Sequence, residues 1–235
     1  MWNKGEGRVV SREEERLGAL VLAAVQVAPT AEELQDALLQ GIRETGPAAL
    51  NWTEQAEQFL ARARFIESLG QEEGWPNLDW DHLAASLSDW LGPWLTGVRS
   101  LANLGRMDLL PPLKGLFTRS QLSRIESGAP LTLSVPSGSR ITLRYDAHEP
   151  PVMEVKLQEL FGLADTPTVA WGRIPVVLHL LSPARRPVQV TRDLRGFWDG
   201  AYQEVRKELK GRYPKHPWPE DPWSAQPTRH TSRKR

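Results

Sequence analysis

The chain has 235 residues, 40% of them hydrophobic and 25% charged, and its 29 basic and 29 acidic side chains cancel. That composition supports a packed core and excludes a disordered chain. The absence of cysteine excludes disulfide frameworks, thiolate zinc sites and a cysteine nucleophile, and it suits a reducing cytoplasm. The longest apolar stretch, Leu17 to Val27, is interrupted by Gly18 and Gln26 and falls short of the ~20 residues a membrane helix needs. Met1 to Glu15 is too polar for a secretory signal, so a cytoplasmic protein with no membrane partner is expected.

The zero net charge hides a division. Residues 1–130 carry 12 Lys+Arg against 18 Asp+Glu, whereas residues 131–235 carry 17 against 11. Most of the basic excess lies between Pro183 and Arg235, with 13 basic and 6 acidic side chains. Such an end suits a polyanion, or is a solvated basic face with a ragged tail.

In chain order, the first twenty-two residues read as strand, turn and strand, with Lys4 to Gly7 as the turn and Val9-Val10 and Leu17 to Leu22 as apolar runs. Two strands alone are marginal in water, which suggests a sheet whose other strands lie elsewhere. Thr30-Ala-Glu-Glu33 is a capping-box pattern opening a helix with Leu34, Leu38 and Ile42 on one face, stopped by Gly46-Pro47. Asn51 to Glu54 opens a second helix with the stripe Ala56, Phe59, Leu60, Ala63 and Ile66, ending at Gly70. Leu83, Leu87, Trp90, Leu91 and Trp94 line a third stripe. Leu101 to Ile125 reads as short helices broken by Pro111-Pro112. Residues 29–130 are thus expected to form a bundle of four to six short helices.

After Pro130 the apolar period drops to two. Leu131, Leu133 and Val135 pair with Ile141, Leu143 and Tyr145 as a hairpin around Pro136 to Ser139. Met153 to Leu157 reads as a strand leading into a short helix, Val176 to Leu181 as a central strand, and Val188 to Thr191 as its return. Phe197 to Leu209 is expected as one helix. Prolines 214, 217, 219 and 222 forbid regular structure. The expected class is α+β: an N-terminal hairpin over 1–28, a helical bundle, a mostly antiparallel sheet with a C-terminal helix over 131–222, and a disordered basic tail over 223–235.

No catalytic constellation stands out. The sequence holds no phosphate-cradling Gly-x-x-x-x-Gly-Lys-Ser/Thr loop, no Gly-x-Gly-x-x-Gly and no Gly-x-Ser-x-Gly elbow. Its five histidines never adopt metal-ligand spacing, so no metal is expected. His148-Glu149 in a polar turn reads as a solvated loop or an acid/base pair, and His179 as a hydrogen-bonded residue on one sheet face or a catalytic one. Trp80, Trp90 and Trp94 read as core. Trp218 and Trp223 lie in a proline-rich segment with Lys215 and His216, where an indole either stacks on bases or straps the segment to the sheet. Candidate nucleic-acid contacts are Arg185, Arg186, Lys210, Arg212, Lys215, His216 and Trp218.

Several strings are more specific. Gly7-Arg-Val-Val-Ser-Arg-Glu-Glu-Glu-Arg-Leu-Gly-Ala-Leu20, Val135-Pro-Ser-Gly-Ser-Arg140, Leu157-Gln-Glu-Leu-Phe-Gly162, Leu180 to Arg192 and Lys210 to Pro222 together resemble the C-terminal part of the bacterial HrpB family of DEAH-type ATP-dependent RNA helicases. The resemblance implies a parent with two RecA-like motor domains, a winged helix, a helical bundle and an OB-like barrel, followed by the family's own extension. The first strands would then be a remnant of that barrel. The family's ATP-binding lysine loop and Asp-Glu-x-His box are absent, so no catalytic residue carries over, and ATP and Mg²⁺ are expected only with the parent motor. Trp171, beside Gly172, stands where the family is expected to carry small residues. The expected role is an accessory, non-catalytic helicase segment binding RNA or single-stranded nucleic acid and the motor domains, with a protein-docking module as the alternative. An independent hydrolase would need a pocket joining His148, Glu149 or His179 to a nucleophile.

Overall fold

The computed structural model describes residues 2–3, 8–9, 11–17, 20–70, 74–147 and 149–229, with backbone alone for residues up to 27 and for Leu101. The expected Lys4 to Gly7 turn, His148 and the tail from His230 lie outside the described residues. Strand β1 (Trp2–Asn3) pairs antiparallel with β2 (Arg8–Val9), and β3 (Ser11–Leu17) with β4 (Leu20–Val27), each in a two-stranded sheet. Leu17 and Leu20, expected within one apolar run, instead belong to different strands and pair with each other.

The chain divides into two compact units, one of residues 1–60 and 73–119, the other of 61–72 and 120–235. In the first, helix α1 (Ala31–Thr45) starts at the expected capping box: Thr30 Oγ1 accepts the Glu33 N–H at 3.2 Å, and Glu33 Oε2 accepts the Thr30 N–H at 2.9 Å. Helix α2 (Glu54–Ser68) begins where Thr53 accepts the Ala56 N–H, and its entire predicted stripe is buried. Phe59 meets Phe117 edge-on at 5.5 Å, and Trp75 packs on Phe117 at 5.4 Å.

The third stripe is less regular than its spacing. It breaks into α3 (Trp80–Ala85), α4 (Leu87–Trp90) and a 3₁₀ turn over Gly92–Trp94. The tighter turn around Pro93 changes the phase of the side chains, so Trp94, expected in the core, is 48% exposed. After α5 (Leu101–Leu104), Pro111 and Pro112 open α6 (Leu110–Gly115) rather than break it. In a first helical turn the missing N–H has no intrahelical partner to lose.

The second unit holds α7 (Arg119–Gly128) and strands β5 (Thr132–Ser134), β6 (Arg140–Arg144), β7 (Val152–Lys156), β8 (Thr168–Val169), β9 (Ile174–Pro175), β10 (Val177–Leu181) and β11 (Pro187–Thr191). Five of them form one sheet in the order β11-β10-β7-β6-β5, while β8 and β9 make a separate hairpin. The sheet is mixed: β10 lies parallel to β7 and antiparallel to β11. A parallel pair needs a long crossover, and residues 157–176 supply it. One sheet face buries Leu143, Met153, Val155, Leu178 and Leu180, and the other exposes Arg144 and Glu154 as an ion pair at 2.8 Å.

The division into compact units falls within α2 and at the start of α7. The later half of α2 packs with the sheet unit, where Arg62 Nε–H donates to the Ala129 carbonyl and the Phe65 ring lies 5.4 Å from Tyr145. The single helix expected over Phe197 to Leu209 is two, α8 (Leu194–Asp199) and α9 (Tyr202–Arg212), separated at Gly200. Phe161, Phe197, Trp198 and Tyr202 pack there with centroids 5.1 to 6.2 Å apart, and Trp198 Nε1–H donates to the Leu163 carbonyl at 2.9 Å. Trp198→Ala is expected to destabilise this unit by about 3–5 kcal/mol, and Trp198→Phe by less, measured by urea unfolding followed by circular dichroism.

Candidate nucleic-acid interface

The turn between β10 and β11 is built by Ser182, which is buried. Its N–H donates to the Arg186 carbonyl at 2.8 Å, its hydroxyl accepts the Arg186 N–H at 3.1 Å, and its carbonyl accepts the Arg185 N–H at 2.8 Å. Pro183 and Pro187 flank this turn, and Arg185 takes the left-handed conformation with φ of +60°. The effect is to hold two consecutive guanidinium side chains outward, both exposed.

The end of α9 meets the same turn, for the Tyr213 hydroxyl lies 3.5 Å from Ser182 Oγ. Lys210 and Arg212 occupy the last turn of α9, where cations complement the exposed carbonyls, and Lys215 follows in the open. Lys156 joins them from β7, because the parallel register places it beside Leu181, next to Ser182. Among the described residues Arg185, Arg186, Lys210 and Lys215 have no acidic partner. Arg212 faces Glu208 at 3.8 Å, a solvated pair of little strength. Lys156 and Tyr213 escaped sequence reasoning, since no local pattern links them to Arg185.

His216 and Trp218 are placed differently from the exposed cations. His216 lies between the Tyr213 and Trp218 rings, at 6.3 and 6.4 Å, and its Nδ1 has no hydrogen-bond partner. Burial, with Lys156 nearby, holds its pKa below the usual range, so it is neutral at pH 7. Trp218, a candidate base contact, is only 7% exposed and donates Nε1–H to the Tyr213 carbonyl at 2.8 Å. Its ring straps the proline-rich segment and offers no face to a base. Arg206, not singled out from the sequence, secures the strap by donating to the Trp218 carbonyl at 2.9 Å and to Glu220 at 2.8 Å.

The other candidates stay apart from this cluster. Trp223 lies under the Arg195 guanidinium at 5.6 Å, and Arg195 is paired with Asp165 at 2.9 Å. The expected disordered tail is anchored as far as Arg229: the Thr228 N–H donates to Gln158 and Arg229 Nε–H to the Ser137 carbonyl, both at 3.0 Å. His179 sits half-buried in β10, in register with Glu154 and Val190. Glu149 is exposed. Among the described residues no three His, Asp or Glu side chains gather as a metal site requires.

The described residues define an α+β region whose mixed sheet ends in an exposed cationic rim. Comparison with known proteins gives the family. The HrpB C-terminal family model, described as ATP-dependent helicase C-terminal, matches residues 90–222. The chain is 45% identical over 233 residues to the ATP-dependent RNA helicase HrpB of Escherichia coli strain K12, covering 99% of this chain and 29% of that protein. The crystal structure of the E. coli DExH-box NTPase HrpB superposes with a TM-score of 0.84 at 45% identity, over 98% of this chain and 29% of that one. A structure of the E. coli DEAH/RHA helicase HrpB gives 0.73 at 43% identity, over 92% and 28%. The chain therefore belongs to the HrpB C-terminal family of ATP-dependent helicases, and it spans under a third of the length of these relatives.

The histidine makes one prediction. In a nuclear magnetic resonance titration His216 is expected to protonate below pH 6.5. The unfolded chain binds that proton at higher pH, so stability falls as pH drops through 6.5 and below, and His216→Gln should lose this part of the slope.

Proposed function

We propose that this chain is an accessory region of an ATP-dependent RNA helicase that holds single-stranded nucleic acid on Arg185, Arg186, Lys210, Arg212 and Lys215. The observation that carries the reading is the Ser182–Tyr213 contact, which gathers cations from two distant segments; among the described residues, Arg212 alone of these faces a carboxylate, in a solvated pair with Glu208. Guanidinium and ammonium groups in this setting contact phosphates whatever the sequence, displacing condensed counterions. His216, neutral and half-buried, adds no charge, and Trp218 acts by fastening the segment that carries Lys215.

ATP and Mg²⁺ belong, on this reading, to motor domains in the same machine. These 235 residues contain no loop able to cradle a triphosphate, so no hydrolytic step runs through them. The two-stranded sheets β1-β2 and β3-β4 support a further part of the reading, in which they complete an OB-like barrel of the helicase, since isolated pairs of strands are marginal in water.

Fluorescence anisotropy with a labelled twelve-nucleotide oligouridine tests the rim. Replacing Arg185, Arg186, Lys210 and Lys215 with Ala should weaken binding at least tenfold and flatten its salt dependence by about 0.7 in log–log slope for each phosphate that is no longer neutralised. Unchanged affinity and slope would reject the RNA role. Capture of the motor domains that resists salt would favour the docking module instead.

A further inference from the structure

A second aromatic and cationic feature lies on the β8-β9 hairpin. Its tip holds three consecutive residues in left-handed backbone, Ala170 (φ +52°), Trp171 (φ +56°) and Gly172 (φ +88°). Only the last is a glycine, so two side chains are carried in a conformation that L-residues avoid. The arrangement is held from several sides. The Ala170 N–H donates to the Gly128 carbonyl at 2.7 Å, and the Ala170 carbonyl accepts both the Arg173 N–H at 3.2 Å and its Nε–H at 3.3 Å. The edge of the indole rests on Gly128, where an added Cβ would lie 2.7 Å from the ring.

Strain at a hairpin tip commonly serves either to bury a side chain or to present one. Here burial does not account for it, because Trp171 remains 45% exposed. The guanidinium carbons of Arg124 and Arg173 lie 4.6 and 5.4 Å from the indole centroid. The tip therefore combines a half-exposed indole, fixed in orientation, with two guanidinium groups stacked over it, a platform of the kind on which bases stack. That chemistry fits a planar, electron-rich ring joined to an anion, which is what each nucleotide of a single strand offers.

We infer that Trp171, with Arg124 and Arg173, is a base-stacking site for single-stranded RNA. The ligand class rests on the nucleic-acid reading above, but the site shares no residue with the Arg185 rim. The hairpin precedes β10 and the Ser182 turn follows it, so the two sites lie beyond opposite ends of one five-residue strand. A short strand of RNA running along the sheet would engage both, its base held at one end and its backbone at the other.

The test uses the full chain and the same labelled oligouridine, with Trp171→Ala, Trp171→Phe and the fourfold rim variant compared after thermal melts show equal folding. Trp171→Ala should weaken binding by about tenfold or more while leaving the salt slope unchanged, and Trp171→Phe should restore most of the affinity. If Trp171→Ala stays within twofold of wild type while the rim variant weakens, the stacking site is overturned and the rim reading stands. If Trp171→Ala weakens binding and the rim variant does not, the reverse holds. An equal drop in affinity for Trp171→Ala and Trp171→Phe would overturn stacking, and no binding by the wild-type chain would overturn both readings.

Discussion

The proline-rich segment after α9 is held to that helix almost entirely through its carbonyls. A chain with prolines at 214, 217, 219 and 222 lacks four backbone donors, so it cannot join a sheet or continue a helix. It can still accept. Tyr202 donates to the Pro219 carbonyl at 2.7 Å, Gln203 to Glu220 at 2.9 Å and Arg206 to Trp218 at 2.9 Å, three donors spaced one, three and four apart on one side of α9. Burial pushes the Tyr202 phenol well above its usual range, so its proton stays available for that bond. Because Trp218 is then seated against Tyr213, and Tyr213 meets Ser182, this set of bonds fixes the segment that carries Lys215 beside the turn that carries Arg185 and Arg186.

The arginines of this region divide by what their charge meets. Arg206, with its side chain 14% exposed, is spent on the strap, and Arg195 is held by Asp165 and lies over Trp223. Arg185 and Arg186 meet solvent. A surface ion pair adds little stability, so leaving such cations unpaired costs the fold little and leaves their charge available to an outside anion. The same logic separates the tryptophans. Trp198 and Trp218 each spend their N–H on a backbone carbonyl and are buried, whereas Trp171 is held open by a strained backbone.

Much of the local structure was legible in the residues. The capping box at Thr30, the stripe of α2, the hairpin around Pro136 to Ser139 and the irregular course after Tyr213 all follow from interactions within a few residues of one another. Errors appeared where a local pattern had two physical outcomes. Pro111-Pro112 could end a helix or begin one, and Gly200 could be tolerated within a helix or divide it; packing decided both. For the candidate interface, Arg185, Arg186, Lys210 and Lys215 were found as an excess of charge, but their convergence was not, nor was the burial that removes Trp218 from it.

Amino-acid order alone therefore determined the starts of α1 and α2, the change of apolar period after Pro130, the excess of positive charge toward the C-terminus and the lack of a nucleotide-binding loop motif. These depend on side-chain chemistry and on contacts a few residues apart, which a linear pattern records. Tertiary structure alone decided that Lys156 stands beside the Ser182 turn, that the end of α2 packs with the sheet, and that Trp171 is presented while Trp218 is covered. Those outcomes follow from a parallel strand pairing and from carbonyl acceptors reached across the fold, and distances of that kind leave no periodic trace in the chain.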